Sequence, residues 1–236
     1  MTCAWRSGWT RSPTSRRFAT RSGVSKRGGC ESLLTASAEF GKRIGLLGKA
    51  SQVAIDATGL ETHHVSKHFV LRAGHKRYWM RKWPKLTAVY DLSTHLALAI
   101  HVCVGPCQDS PQFAPAIRGA AQRQKLSLVL ADKGYDSEKN HEICREELRI
   151  PQTIIPVRRK SKLSPTRSWP TTPYRREMKR VANREGYGQR WQAESAFSGL
   201  KRLLGSALRA RTWAAQRAEI AVRVLTHNCM ILANAY

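Results

Sequence analysis

Leu128-Val129-Leu130-Ala131 is apolar at every position and stops at Asp132. A strand of that texture offers no polar face to water, so both of its faces must be covered, as in the interior of a layered α/β domain. The rest of the chain reads as the layers that do so. Val53-Ala54-Ile55-Asp56-Ala57-Thr58 is a second short apolar run that turns polar at its end. Residues 85–90 and 96–102 are predicted strands, and Asp91, Ser93 and Thr94 between them predict a hairpin turn. Thr153-Ile154-Ile155-Pro156-Val157 is a fifth strand. Helices are expected over 110–122, with Ser110 as N-cap and Pro111 in the first turn, and over 137–148, 188–204 and 214–233.

At 236 residues the chain suits one domain with a short appendage. Residues 1–45 hold Arg, Ser and Gly without a sustained apolar period and read as a basic, disordered or truncated N-terminal segment; 46–236 reads as the folded domain. Pro165, Pro170 and Pro173 break the basic stretch 158–180, which is expected to be a surface loop. Lys and Arg number 41 against 16 Asp and Glu, a net charge of +25. Charge of that size selects a polyanionic partner, because each phosphate it neutralises releases condensed counterions. No run approaches the ~20 apolar residues of a spanning helix, so no membrane partner is expected, and the chain is placed in the cytoplasm. Cys103 and Cys107, with His101 beside them, lack a second ligand pair at zinc-finger spacing, and the six scattered cysteines are read as free thiols. His63, His64, His68 and His75 are too irregularly spaced for a metal site and read as a solvated or phosphate-facing loop. Trp79 and Trp83 suit base stacking and packing under that loop equally well.

Acids are scarce in so basic a chain, and three recur where chemistry would want them. Asp56 and Asp132 each close a predicted strand; if those strands are parallel neighbours, both carboxylates emerge at one edge of the sheet. Two carboxylates so placed repel unless a cation bridges them, and hard oxygen donors suit Mg²⁺ or Mn²⁺. Glu194 is the third. On a continuous helix Tyr187, Arg190, Glu194 and Lys201 fall within about 60° of one another. The plain alternative is an exposed face with an i,i+4 Arg190–Glu194 pair. Asp136, beside Asp132, reads better as a cap of the following helix than as a ligand.

Tyr187, Arg190, Glu194 and Lys201 fit Y-x2-R-x3-E-x6-K. With Ile55-Asp56-Ala57-Thr58, Gln108-Asp109-Ser110 and Ala131-Asp132-Lys133-Gly134-Tyr135-Asp136-Ser137 in order before them, the chain resembles DDE transposases of the insertion-sequence-four and -five groups, from about Val53 to Ala233. The resemblance implies a ribonuclease H-like mixed sheet of about five strands flanked by helices. It implies metal-dependent DNA cleavage at transposon ends and strand transfer to target DNA. Asp56, Asp132 and Glu194 would be the catalytic residues and the ligands of two Mg²⁺ or Mn²⁺ ions. Tyr187, Arg190 and Lys201 would hold the DNA backbone, and the partners would be transposon ends, target DNA and a second copy of the chain in a homodimer on DNA. A bacterial, nucleoid-associated location goes with that reading.

The pattern has departures. Ala57 stands where the family usually has Ser, and the interval from Asp132 to Glu194 leaves no room for the large β insertion of some relatives. The N-terminus is short for an end-recognition domain, which leaves as the alternative a catalytically inactive, truncated remnant that only binds DNA.

Overall fold

The computed structural model describes residues 27–62, 83–158, 170–180 and 186–235. Along the chain run α1 (Arg27–Arg43), β1 (Ser51–Gly59), the short β2 (Glu61–Thr62), β3 (Trp83–Asp91), β4 (Ala97–Gly105) and α2 (Ser110–Arg123). There follow β5 (Leu126–Ala131), a 3₁₀ turn (Lys133–Tyr135), α3 (Glu138–Glu142), a π-helical stretch (Ile143–Glu147) and β6 (Gln152–Ile154). The last elements are α4 (Pro173–Arg180), a 3₁₀ turn (Tyr187–Arg190), α5 (Trp191–Leu204), the short β7 (Ala207–Leu208) and α6 (Trp213–Ala235).

Five strands form one sheet in the order β4-β3-β1-β5-β6. β1 pairs antiparallel with β3, β3 antiparallel with β4, and β1–β5 and β5–β6 are parallel. Three antiparallel strands in chain order, with the first at the centre of the sheet and two parallel strands extending it on the other side, make the ribonuclease H-like topology. The expected hairpin is present: the Asp91 carboxylate accepts from the N–H and hydroxyl groups of both Ser93 and Thr94 and so closes the β3–β4 turn.

Period-two alternation sorts the side chains of the two central strands. Val53, Ile55, Val129 and Ala131 join the core under α2, whose Phe113, Ala116, Ile117 and Ala120 are buried there. Ala54, Leu128 and Leu130 join the opposite core with Ala193, Phe197 and Leu200 of α5 and Ile220 and Val224 of α6. Asp56 and Thr58 continue the second series, so the alternation aims them toward α5. Trp83 does not stand free for stacking on a base: its indole lies over Gly59 and Gly105, and a Cβ at Gly105 would fall 2.6 Å from its Nε1. Trp79 and the four spaced histidines lie outside the described residues.

Several expectations need amending. Residues 27–43, placed at sequence level in an unstructured segment, form α1 and pack on the core with Leu34 and Ala38 buried. The reason is distant. Arg123, at the end of α2, is buried and bonds Glu31, Thr35 Oγ1 and the carbonyls of Leu98 and Gly119. Asn228 of α6 adds a second tie, exchanging two 2.9 Å bonds with the Ala97 backbone and donating to Ser37 Oγ. No local period in 27–43 reveals partners so far off. Residues 1–26 lie outside the described residues. The N-cap of α2 is Asp109 rather than Ser110, with no side-chain capping bond. The helix expected over 137–148 is one turn of α-helix running into a π stretch, and the helix expected from 188 begins as a 3₁₀ turn and becomes α-helical at Trp191. Among the described residues no helix is long and apolar enough to cross a membrane.

Candidate active site

The parallel pairing of β1 with β5 sets Ile55 against Ala131. Asp56, still within β1, and Asp132, the first residue past β5, therefore follow at adjacent positions where the parallel pairing stops. Where a parallel sheet stops, backbone and side chains open to solvent between the covering helices, which is why such edges carry sites. Across that edge runs α5. Its buried stripe, Ala193, Ala196, Phe197 and Leu200, seats the helix on the sheet and leaves Glu194, Ser198 and Lys201 along its flank. Asp56, Ala57, Thr58, Glu194, Phe197, Ser198, Lys201 and Arg202 line an open cleft of about 460 Å³.

Asp56 is half-buried, and its Oδ1 accepts the Ala57 N–H at 2.8 Å. Burial holds its carboxyl above the usual carboxylate range. The Ala57 N–H and the Arg190 guanidinium act in the other direction, and Glu194 and Asp132 push it up further. The three carboxylates are thus close enough to feel one another, in a surrounding that disfavours the bare anion. Glu194 is 56% exposed and pairs with Arg190 Nη2 at 2.6 Å. Lys201 Nζ donates to Thr58 Oγ1 at 2.6 Å and pins the C-terminal half of α5 to the end of β1.

Not every expected residue joins the cleft. Asp132 is half-buried where the 3₁₀ turn begins and does not line the cleft. Tyr187 is half-buried on the turn before α5 and packs beside the α5-side core. Because residues 187–190 are 3₁₀, the single helical face argued from 100° per residue does not run through Tyr187 and Arg190. The Arg190–Glu194 pair forms nonetheless. Asp136 is no cap. Its side chain, 2% exposed, receives Arg175 Nε and Nη2 at 2.8 Å each and the Arg158 N–H at 2.8 Å, tying Arg158 and Arg175 to the end of the turn that Asp132 begins.

Sequence reasoning missed Ser198 and Arg202 as cleft residues, although Arg202 follows a motif lysine. It also missed the partners of Asp109. That carboxylate pairs with Lys85 Nζ at 2.5 Å and lies so near Gly134 that a Cβ there would sit 3.1 Å from its Oδ2. The only sequence signal was the Gln108-Asp109-Ser110 motif itself.

Two carboxylates at adjacent strand positions and a third across a cleft, with Arg190 near Asp56 and Glu194, are the donor types that hard cations take. The match to known families agrees. The model described as "Transposase DDE domain" matches residues 47–229. The chain belongs to that family. No curated protein sequence matches it. Among solved structures, this transposase DDE domain is similar to the piggyBac transposase in a synaptic complex with hairpin DNA, at 10% identity and a TM-score of 0.45. The similarity covers 78% of this chain and 47% of that one, so the chain spans about half the length of that protein.

Among the described residues, no three His, Cys, Asp or Glu side chains stand close enough together to share one ion as they are. The donor chemistry nonetheless fits a divalent cation. Asp56 is a partly desolvated carboxylate pressed by two others, and the partner that holds Glu194 away is an exposed ion pair worth at most about 1 kcal/mol.

Proposed function

We propose that this transposase DDE domain is the catalytic core of a bacterial insertion-sequence transposase of the four/five group, cutting transposon ends and joining them to target DNA. The observation that supports the reading is the β1–β5 register, which pairs Ile55 with Ala131 so that Asp56 and Asp132 follow at adjacent strand positions, Asp56 sharing a cleft with Glu194. Asp56, Asp132 and Glu194 would hold two Mg²⁺ or Mn²⁺ ions. When bound, such ions supply an activated water and neutralise the charge that develops on the phosphate. The chain's own residues do the positioning. Arg190 exchanges the Glu194 carboxylate for a DNA phosphate, which its planar fork can grip in two places. Lys201 and Arg202 extend the cationic wall on the far side of the cleft, and Phe197 gives it an apolar floor that thins the water around the phosphodiester. Tyr187 contacts the backbone upstream. Water attacks the phosphodiester in line, freeing a 3′-OH, and the same positioning then presents that hydroxyl to the target phosphate. Paired ends require two sites, so the working form is a homodimer on DNA, in the cytoplasm with the nucleoid.

Joining separates transposition from simple hydrolysis. An oligonucleotide carrying the flanking DNA of the gene and a free 3′-OH is incubated with a supercoiled target in Mn²⁺. The expected result is target-linked oligonucleotide with wild type, reduced at least ~10²-fold in Glu194→Gln. Target cleavage without joining would replace this reading with that of a ribonuclease H-like nuclease.

A further inference from the structure

Cys103 and Cys107 play no part in the cleft, yet their sulfurs lie 2.7 Å apart. Cys103 is on the last third of β4, directly across from Lys85 of β3, and Cys107 lies two residues beyond the strand. The loop between them is held rather than loose. Lys85 Nζ donates to the Cys107 carbonyl at 2.8 Å and pairs with Asp109 just beyond. Both cysteines are half-buried, whereas Cys144 is shut in the core. A covalent S–S bond requires the two atoms to close by only about 0.7 Å.

We propose that Cys103 and Cys107 form a thiol–disulfide exchange site that accepts small-molecule disulfides of the glutathione class. Burial, and then the contact with Cys107, push the Cys103 thiol up to about 12. Either sulfur can donate in their contact; Cys107, two residues past the end of the strand, is the attacking atom in the exchange. The Cys107 thiolate attacks one sulfur of the small disulfide, whose S–S bond breaks and releases the first small thiol. The Cys103 sulfur then attacks Cys107 in the mixed disulfide; its proton passes to the second departing thiolate as the Cys103–Cys107 bond forms. Two protein thiols are oxidised, and one small disulfide is reduced to two thiols.

Both cysteines fall in one tryptic peptide, Leu86–Arg118, which has no other cysteine. The full chain is equilibrated across a series of oxidised and reduced glutathione, with a parallel series in urea, then alkylated with iodoacetamide and digested. From folded protein this peptide should escape alkylation and be lighter by two hydrogens, about 2 Da. Half-oxidation should need at least ~10-fold less oxidised glutathione than in urea, because the fold presents the sulfurs to each other. Cys103→Ser should retain glutathione on Cys107. A doubly alkylated peptide throughout, a lasting glutathione adduct on wild type, or equal oxidation with and without urea would each overturn the proposal.

Discussion

In the proposed reading, the contact between Glu194 and Arg190 is the one on which the site's chemistry turns. An exposed i,i+4 pair of this kind, 22% and 56% accessible, contributes too little to hold a carboxylate against a divalent ion. Arg190→Gln should then release Glu194 and tighten Mn²⁺ binding by up to about fivefold, while weakening DNA cleavage. Titration calorimetry checks the first half; weaker Mn²⁺ binding in the variant would mean that Arg190 supports the donor set instead of restraining it. His141 belongs to structure. It is fully buried, its Nδ1 meets Thr153 Oγ1 at 2.7 Å, and burial pulls its pKa from 6.5 to about 4 against the opposing pull of Glu138 and Asp136. A histidine depressed on folding stabilises the protein above its unfolded pKa and loses that contribution as pH falls through the folded one. Between pH 6.5 and 4 the wild type should therefore lose about 3 kcal/mol that His141→Gln does not. Urea midpoints across that interval measure the difference, and parallel curves would remove His141 from the account.

At the scale of elements, the signals that were legible were periodic or covalent. The apolar run ending at Asp132, the Asp91 turn and the stripe of α5 all encode their geometry within a few residues. The parallel β1–β5 pairing entered only as a condition, raised by the acids Asp56 and Asp132 in the two apolar runs. What stayed hidden were partners far apart in sequence. Arg123 gathers Glu31 and Thr35, nearly ninety residues earlier, and so folds α1 onto a domain that the local pattern begins later. Asp136 looked like a cap because it precedes Ser137, but a carboxylate makes a stronger bond to a guanidinium than to a peptide N–H, and Arg175 is brought to it only by the fold. That pair fixes Arg175 at the end of the turn that Asp132 begins. Breaking it from one side strands a buried charge: Arg175→Met should cost ~3–5 kcal/mol, and the double variant Arg175→Met, Asp136→Leu should recover much of the loss. Denaturant unfolding of the three proteins tests the pair, and a single variant as stable as wild type would reduce it to a surface contact. The 3₁₀ start of α5 was likewise invisible, since the Tyr187 to Lys201 spacing reads equally well as unbroken helix.

For the whole molecule, a net charge of +25 on a ribonuclease H-like frame with so few acids makes the placing of three of them the decisive feature. The sheet sets two at adjacent strand positions and α5 brings the third across from Asp56. Fold and charge alone fit any DNA-bound protein; the carboxylates make the difference. The most direct measurement is nicking of a supercoiled plasmid bearing the gene's own flanking DNA, with Mg²⁺, with Mn²⁺ and with EDTA, comparing wild type with Glu194→Gln at equal DNA occupancy. The account predicts metal-dependent nicking by wild type and at least ~10²-fold less by the variant. Plasmid bound but never nicked by wild type, or nicked equally by both, would contradict it.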